Sequence, residues 1–349
     1  MLLAVVTQIP NKNESLSILI ECSQVTPTGT LRCLDLLREL RLQVIDYLAE
    51  ERVFTVQQPV EILFVYDASN VLSKSLLDQL RMISDESTES INVRLVATDS
   101  SAYYVQKNVG YQNSLGTVNV FVDSDVIPDP GWLERLLEPF ASPSVHVVCG
   151  NTYIEPRGLL GKAFALSWFH PKHDPAPALL ERSIKFHANN VAMRRAATED
   201  PPFPRLQGDV RGSCAALAVE LRDSGIDIWH SHGAGASHPI PLGPLDFLLR
   251  ALVHGRDLII LSRYLKQSKT PVDDKISHIW LWIISVFRFP SAVKKRFRLV
   301  GISFFELPVI LSICAIYYGF VISGAILTCL HTPTMLRYIN LPGQPRYDG

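Results

Sequence analysis

Two carboxylates one residue apart, Asp123 and Asp125, are by type and spacing the residues of this chain best suited to chemistry. Before them, Val118, Val120 and Val122 alternate with Asn119 and Phe121, which reads as a β-strand. Pro128, Pro130 and Gly131 break the chain just beyond. Ligands of open α/β sheets bind at the carboxyl ends of strands. Carboxylates at i and i+2 on an extended segment can share one hard cation, and Mg²⁺ typically takes one or two protein carboxylates together with substrate phosphates. The pair is therefore expected to clamp a diphosphate through a divalent ion. Asp-x-Asp at a strand end is also ordinary turn chemistry, because Asp caps its own backbone, so the reading needs support from the rest of the chain.

The elements that must position this pair alternate in type. Ser17–Ile20 is a short apolar strand, followed by a loop with Pro27 and Gly29. Leu34, Leu37, Leu40 and Leu48 fall at helical spacing, so Leu31–Leu48 is expected to be an amphipathic helix. Strands are predicted at Glu61–Tyr66, Asn92–Ala97 and Val145–Val148, with helices at Ser73–Ile83 and at Trp132–Phe140 after the start signalled by Pro130. Alternating β and α over residues 15–150 predicts an α/β, Rossmann-like fold with a three-layer, mostly parallel sheet. Residues 151–241, richer in Pro, His and Gly, read as a second half built onto the same sheet.

The 349 residues suffice for one large α/β domain or two ordinary ones, and a net charge of −1 gives no global signal for nucleic acid. The six cysteines have neither CxxC pairing nor zinc-like spacing, which fits a reducing compartment. The N-terminal run lacks a basic region and a small-residue cleavage site, so a secretory signal is not expected. Leu307 to Leu330 contains no charged side chain, and about 20 apolar residues suffice to cross a bilayer as a helix. Just upstream, Arg288, Lys294, Lys295, Arg296 and Arg298 cluster without an acid, which predicts a cytoplasmic flank and a cytoplasmic catalytic domain on the inner or plasma membrane. Ile276–Phe287, with Trp280 and Trp282, is expected to lie in the headgroup region.

In order, these features resemble a family 2 glycosyltransferase with a GT-A fold. Four stretches across residues 15–240 carry the resemblance. Glu61–Ser69 is similar to the family strand ending in Asp-Asp-Gly-Ser, and Lys107-Asn108-Val109-Gly110 to the Arg-Asn-x-Gly ahead of the metal strand. Phe121–Phe140, with Pro130-Gly131-Trp132-Leu133 opening its helix, matches most closely. His187–Arg195 is similar to the loop Gly-Asn-Asn-x-Ala-x-Arg-Arg.

The resemblance implies roles for particular residues. Asp67 would accept hydrogen bonds from the nucleobase, Asp123 would face the ribose and the metal, and Asp125 would coordinate Mg²⁺ or Mn²⁺ on the donor diphosphate. His238 matches a histidine near that diphosphate and is expected among the metal ligands. Glu21, Lys107 and Arg194 join the expected donor-binding set, and Asn189 and Asn190 the acceptor side. Asp209 aligns with the second acid of a Glu-Asp pair and is expected to be the general base, acting with inversion.

Two departures stand out. Gly208 replaces the Glu that usually precedes the base, and Glu21-Cys22-Ser23-Gln24 replaces Pro-x-Tyr-Asn after the first strand. The Gln-x-x-Arg-Trp signature of processive synthases is absent after His238, with Arg250 and Arg256 the nearest basic candidates, so one sugar per encounter is expected. Gly233–Ser237 and Gly158–Lys162 fail the dinucleotide and P-loop patterns. His230, His232 and His238 could join an Asp around zinc, although no motif spacing supports it.

The sequence thus predicts a GT-A domain over residues 1–241, divided into a nucleotide-binding half (15–150) and an acceptor half (151–241). A basic helical segment (242–300), a transmembrane helix (302–330) and a tail (331–349) follow. Expected partners are a nucleotide sugar, UDP-linked by preference, a lipid-linked or other membrane-proximal acceptor and the membrane, but no nucleic acid. The alternatives are a membrane-tethered nucleotide-sugar-binding protein without activity and a sugar-nucleotide nucleotidyltransferase. The latter normally needs a Gly-rich N-terminal loop, which is not seen between Ser17 and Thr30.

Overall fold

The computed structural model describes residues 14–23, 27–69, 77–79, 81, 88–167, 180–241, 243–267, 297 and 299–339, with backbone alone at 27–30 and 209. The basic cluster around 294–298 and the proposed headgroup segment 276–287 lie outside the described residues, as does most of the helix expected at 73–83.

Nine strands form one sheet: β1 (Leu16–Glu21), β2 (Val60–Asp67), β3 (Ile91–Thr98), β4 (Val118–Asp123), β5 (Ile127–Pro128), β6 (Val147–Ile154), β7 (Leu180–Ser183), β8 (Asn190–Arg194) and β9 (Ile228–His238). Their order is β3-β2-β1-β4-β8-β6-β9-β5, with β7 also pairing β9. The first four are parallel throughout. β8 enters antiparallel between β4 and β6, while β6 and β9 pair in parallel, so the sheet is mixed but mostly parallel.

Alternation along the central strands sends side chains into two cores. Ile18, Ile20, Val120 and Val122 meet Leu36, Leu40 and Val44 of α1 (Pro27–Ala49). Leu19, Leu63 and Phe121 face the other way, towards Tyr104 and Tyr111 of α2 (Tyr103–Asn113) and Leu217 and Leu221 of α5 (Ser213–Asp223). Strands covered on both faces read as near-continuous apolar runs, as VEILFVY and VNVFV do. Helix, sheet and helix make the three expected layers. Trp132, on the short α3 (Trp132–Leu137), is fully buried behind the acidic loop.

A third core joins α4 (Gly158–Ser167), α6 (Pro244–Gln267) and the apolar α7 (Leu307–Tyr338), through Phe164, Phe247, Ala251, Ile310, Tyr317 and Val321. α6 and α7 pack at backbone distance. A Cβ on Gly255 would sit 2.0 Å from the Val321 carbonyl oxygen, and one on Gly324 would sit 2.1 Å from that of Leu252. Small residues at such crossings let helices approach closely. α7 is long and apolar enough to cross a membrane, with a mean hydropathy of 2.1. It continues past the expected end at 330, bending at His331, which has non-helical dihedrals, just before Pro333.

Candidate active site

Because β1, β2 and β4 are parallel and in register, their C-terminal acids meet on one edge of the sheet. Glu21 lies opposite Asp123 across β1 and β4, and Asp67 ends β2 on the other side of β1. Asp67 Oδ1 accepts hydrogen bonds from Ser69 N (2.9 Å) and Ser69 Oγ (2.6 Å), which fixes the turn after β2.

Asp123 is held from α2. Its Oδ1 accepts from Tyr103 Oη at 2.7 Å and from Lys107 Nζ at 2.8 Å. Tyr103 and Lys107 stand four residues apart and so share one face of that helix. The Lys107 ammonium, 1% exposed, also lies 4.7 Å from the Tyr103 ring centroid. Burial pushes the neighbouring Glu21 carboxyl up to about 7; the Asp123 charge adds to the rise and Lys107 opposes it.

Asp125 belongs to the following turn, and its backbone is fixed from α1. Arg32 donates to the Asp125 carbonyl, to the Ser237 carbonyl at 2.9 Å and to Ser237 Oγ at 3.0 Å. One guanidinium thereby ties the acidic turn to the end of β9, where His238 follows. His238 Nε2 lies 4.0 Å from Asp125 Oδ1, and its Nδ1 lies 2.8 Å from the Pro239 carbonyl oxygen. Ligand atoms of Asp123, Asp125 and His238 all fall within 4.8 Å of one another, a spacing that can hold one divalent ion.

A cavity of about 210 Å³ opens beside this group. Asp123, His187, Asn189 and His238 line it on the sheet side, and Arg211, Arg250, His254 and Asp257 on the helical side. Burial lowers the His187 and His254 pKa values to about 4, with Lys185 and His238 adding to the effect at His187, so both rings are neutral near pH 7. Burial raises the Asp257 pKa against the opposing Arg256 charge. Asp257 accepts from Arg256 Nε at 2.8 Å and from the Arg211 backbone N–H at 3.1 Å, pinning the chain two residues beyond Asp209. Asp209 itself closes a 3-10 turn, Gln207–Asp209, and its side chain lies outside the described set.

The structure corrects three site expectations. Arg194 pairs with Val118, at the far end of β4 from Asp123. Its guanidinium contacts Glu14, donates to Val145 O (3.0 Å) and Phe140 O (2.7 Å), and stacks over Phe140. It therefore holds the opposite edge of the sheet, remote from Asp123. Asn190 is fully buried, accepting from Trp132 Nε1 and donating to Ala234 O, so it braces the core where an acceptor contact was expected. Lys107 meets Asp123 and no open space. Of the expected acceptor pair only Asn189 reaches the cavity, its Oδ1 accepting from Thr152 Oγ1. Arg256, one of two basic candidates after His238, is fully buried, whereas Arg250 lines the cavity.

Sequence reasoning missed Arg32, Tyr103, His187 and Asp257. The i, i+4 spacing of Tyr103 and Lys107 was a usable signal once α2 was recognised. Arg32 and Asp257 sit in amphipathic helices among other charges, and nothing local distinguishes them.

With this geometry in hand, comparisons show what the chain is similar to. The family model described as glycosyl transferase family 2 matches residues 38–200. A curated relative, glycosyltransferase AglE of Haloferax volcanii, is 25% identical over 154 residues, 43% of this chain and 49% of that protein. The match thus spans about half the relative's length. Among solved structures, the mannosyltransferase PcManGT of Pyrobaculum calidifontis, in complex with GDP-Man and Mn²⁺, aligns with a TM-score of 0.58 at 14% identity. The alignment covers 92% of this chain and 88% of that one, and the likeness is one of fold. Over residues 38–200 the chain is thus similar to family 2 glycosyl transferases, and its architecture is that of the GT-A fold.

Proposed function

We propose that this chain is an inverting transferase that moves a sugar from a nucleotide-sugar donor to an acceptor held at a membrane surface. The observation carrying the reading is the convergence of Asp123, Asp125 and His238 beside a cavity lined by Asp123, His238 and, across from them, Arg211. Two carboxylates and an imidazole fit Mn²⁺ or Mg²⁺, the nitrogen ligand favouring the transition ion. Bound there, such an ion would supply positive charge to a departing diphosphate.

The chain's own residues do the rest. Asp67 and Glu21 face the nucleoside side, at the ends of β2 and β1. Tyr103 and Lys107 fix the orientation of Asp123. Asp209 takes the acceptor's proton, an action that typically contributes about 10²–10⁴-fold. Asp257, through the Arg211 amide, positions the turn that carries Asp209. One base and one displacement give inversion at the anomeric carbon.

Arg211 and Arg250 on the cavity wall suit an acceptor carrying a phosphate, as a lipid-linked acceptor would. α7, with Ile316, Ile326 and Leu330 exposed, would attach the domain to the bilayer, and the basic run before it favours the cytoplasmic face.

The test is donor binding and turnover by the purified full chain with Mn²⁺ and a panel of UDP- and GDP-sugars. Asp125→Ala is expected to lose donor affinity. Asp209→Asn is expected to keep affinity and lose turnover. Failure of the native chain to bind any nucleotide sugar with metal present would overturn the reading.

A further inference from the structure

A second constellation lies on the same long strand, away from the acidic turn. β9 carries His230 and His232, and the edge strand β7 carries Glu181 directly opposite His230. Residues i and i+2 of a strand share a face, as does the directly paired residue of an antiparallel neighbour. The three side chains are therefore gathered by backbone register. Between the β6 pairs Cys149–His230 and Asn151–Gly235 the register shifts, and His232 sits inside that irregularity. Such bulges re-aim side chains.

The resulting geometry is close. Ligand atoms of Glu181, His230 and His232 all lie within 4.8 Å of one another. His232 Nε2 is 2.8 Å from Glu181 Oε1, and His230 Nδ1 is 3.9 Å from the same oxygen. The two imidazoles meet edge to face with centroids 4.4 Å apart. His232 Nε2 is buried and has no hydrogen-bond partner, despite the nearby carboxylate. His230 also has a hydrogen bond with the Gly150 backbone, the kind of outer contact that orients metal-binding imidazoles.

We infer that Glu181, His230 and His232 bind a transition-metal dication of the zinc class. Two imidazoles and one carboxylate form a common three-ligand zinc set, with water in the fourth position. Soft-to-borderline nitrogen ligands select against Mg²⁺ and Ca²⁺, which prefer oxygen. The site is separate from the acidic turn: His230 pairs with Cys149 and His238 with Ile154, five residues apart along β6, or about 17 Å at the usual strand rise. The ion would tie β7, whose only strand partner among the described residues is β9, across the bulge that leads to His238.

The experiment uses the full, untagged chain in an Asp125→Asn background, which weakens metal capture at the acidic turn. Zinc retained after dialysis is measured by elemental analysis, and the thermal midpoint is recorded with and without added ZnCl₂. About one equivalent of zinc and an upward midpoint shift are expected. Outer-contact changes already cost about 10–100-fold in metal affinity, so losing a ligand in Glu181→Gln or His232→Gln should cost more than about 100-fold. Glu181 is exposed, so its amide variant is expected to fold, checked by circular dichroism in the absence of zinc. Zinc binding of equal strength in the Glu181→Gln/His230→Gln/His232→Gln variant would overturn the proposal. So would absence of zinc from the Asp125→Asn chain.

Discussion

Leu336 closes over Gly208: a Cβ built on the glycine would lie 2.6 Å from Leu336 Cδ2, and the glycine has a φ of 72°. A side chain at position 208 would therefore have to displace Leu336, which lies 128 residues away in sequence, beyond the bend of α7. Leu336 packs there with Leu206, Val210 and Ile260. Gly208→Ala is expected to destabilise the chain by about 1–2 kcal/mol from the left-handed backbone alone, with the Leu336 contact adding to it. Urea unfolding checks this, and Leu336→Ala in the Gly208→Ala background should relieve the contact part without relieving the backbone part.

The Lys107–Asp123 pair is buried, so removing one partner leaves an uncompensated charge. Lys107→Met is expected to cost about 3–5 kcal/mol, and the double variant Lys107→Met/Asp123→Asn should cost less than the single change. Arg194→Met serves as the contrast. It should lower stability while leaving donor affinity within about twofold, because its partners lie at the other end of β4. Calorimetric titration with a nucleotide sugar and Mn²⁺ separates the two behaviours.

Burial of His187 and His254 should make the fold acid-sensitive, an effect partly offset by Glu21, whose raised pKa acts in the opposite sense. His187 and His254 remain neutral down to about pH 4 when folded, but take up protons near 6.5 when unfolded. Between those values the unfolded state binds more protons, so stability falls as pH drops through that window and is fully present above it. Each buried ring contributes on the order of 3 kcal/mol over the window. His254→Phe should flatten the dependence of the unfolding free energy between pH 6.5 and 4.

Lipid contact is expected along the open side of α7 and at the turn that precedes it. Ile310, Cys314, Tyr317 and Val321 are buried, whereas Phe304, Phe305, Ile326 and Leu330 are exposed. Burying a large apolar side chain contributes about 1.5–3 kcal/mol. Changing those four exposed residues to Ser should therefore lower partitioning into vesicles by at least roughly two orders of magnitude. Co-sedimentation with anionic vesicles reads the change, and turnover on a soluble acceptor should persist.

Much of this was legible in the chain itself. Strands at Leu16–Glu21, Val60–Asp67, Ile91–Thr98 and Val118–Asp123 follow from apolar runs between turn residues, and the helix expected at Leu31–Leu48 fits a parallel β1–β2 pair, whereas no spacing marked α2 between β3 and β4. That pairing delivers Asp67 and Asp123 to one edge, because in-register parallel strands end together. The apolar stretch after 306 announced its helix in the same local way. Composition and periodicity are short-range properties, and these features needed nothing more.

Only the tertiary structure decided where side chains of similar type are used. Asn189 and Asn190 are neighbours, yet one lines the cavity and the other is locked by Trp132 and Ala234, since Asn189 lies in the turn before β8 and Asn190 opens the strand. Arg194 looked like a diphosphate ligand until β8 proved antiparallel to β4, which carries it to the far edge. The three histidines of β9 divide between two clusters because His230 and His232 lie beside Glu181 of β7, while His238, beyond the bulge, reaches Asp125. Gly208 is explained by its left-handed backbone together with Leu336. Sequence spacing encodes which way a short segment faces, but the contacts made across a sheet or between distant helices exist only once the chain has folded.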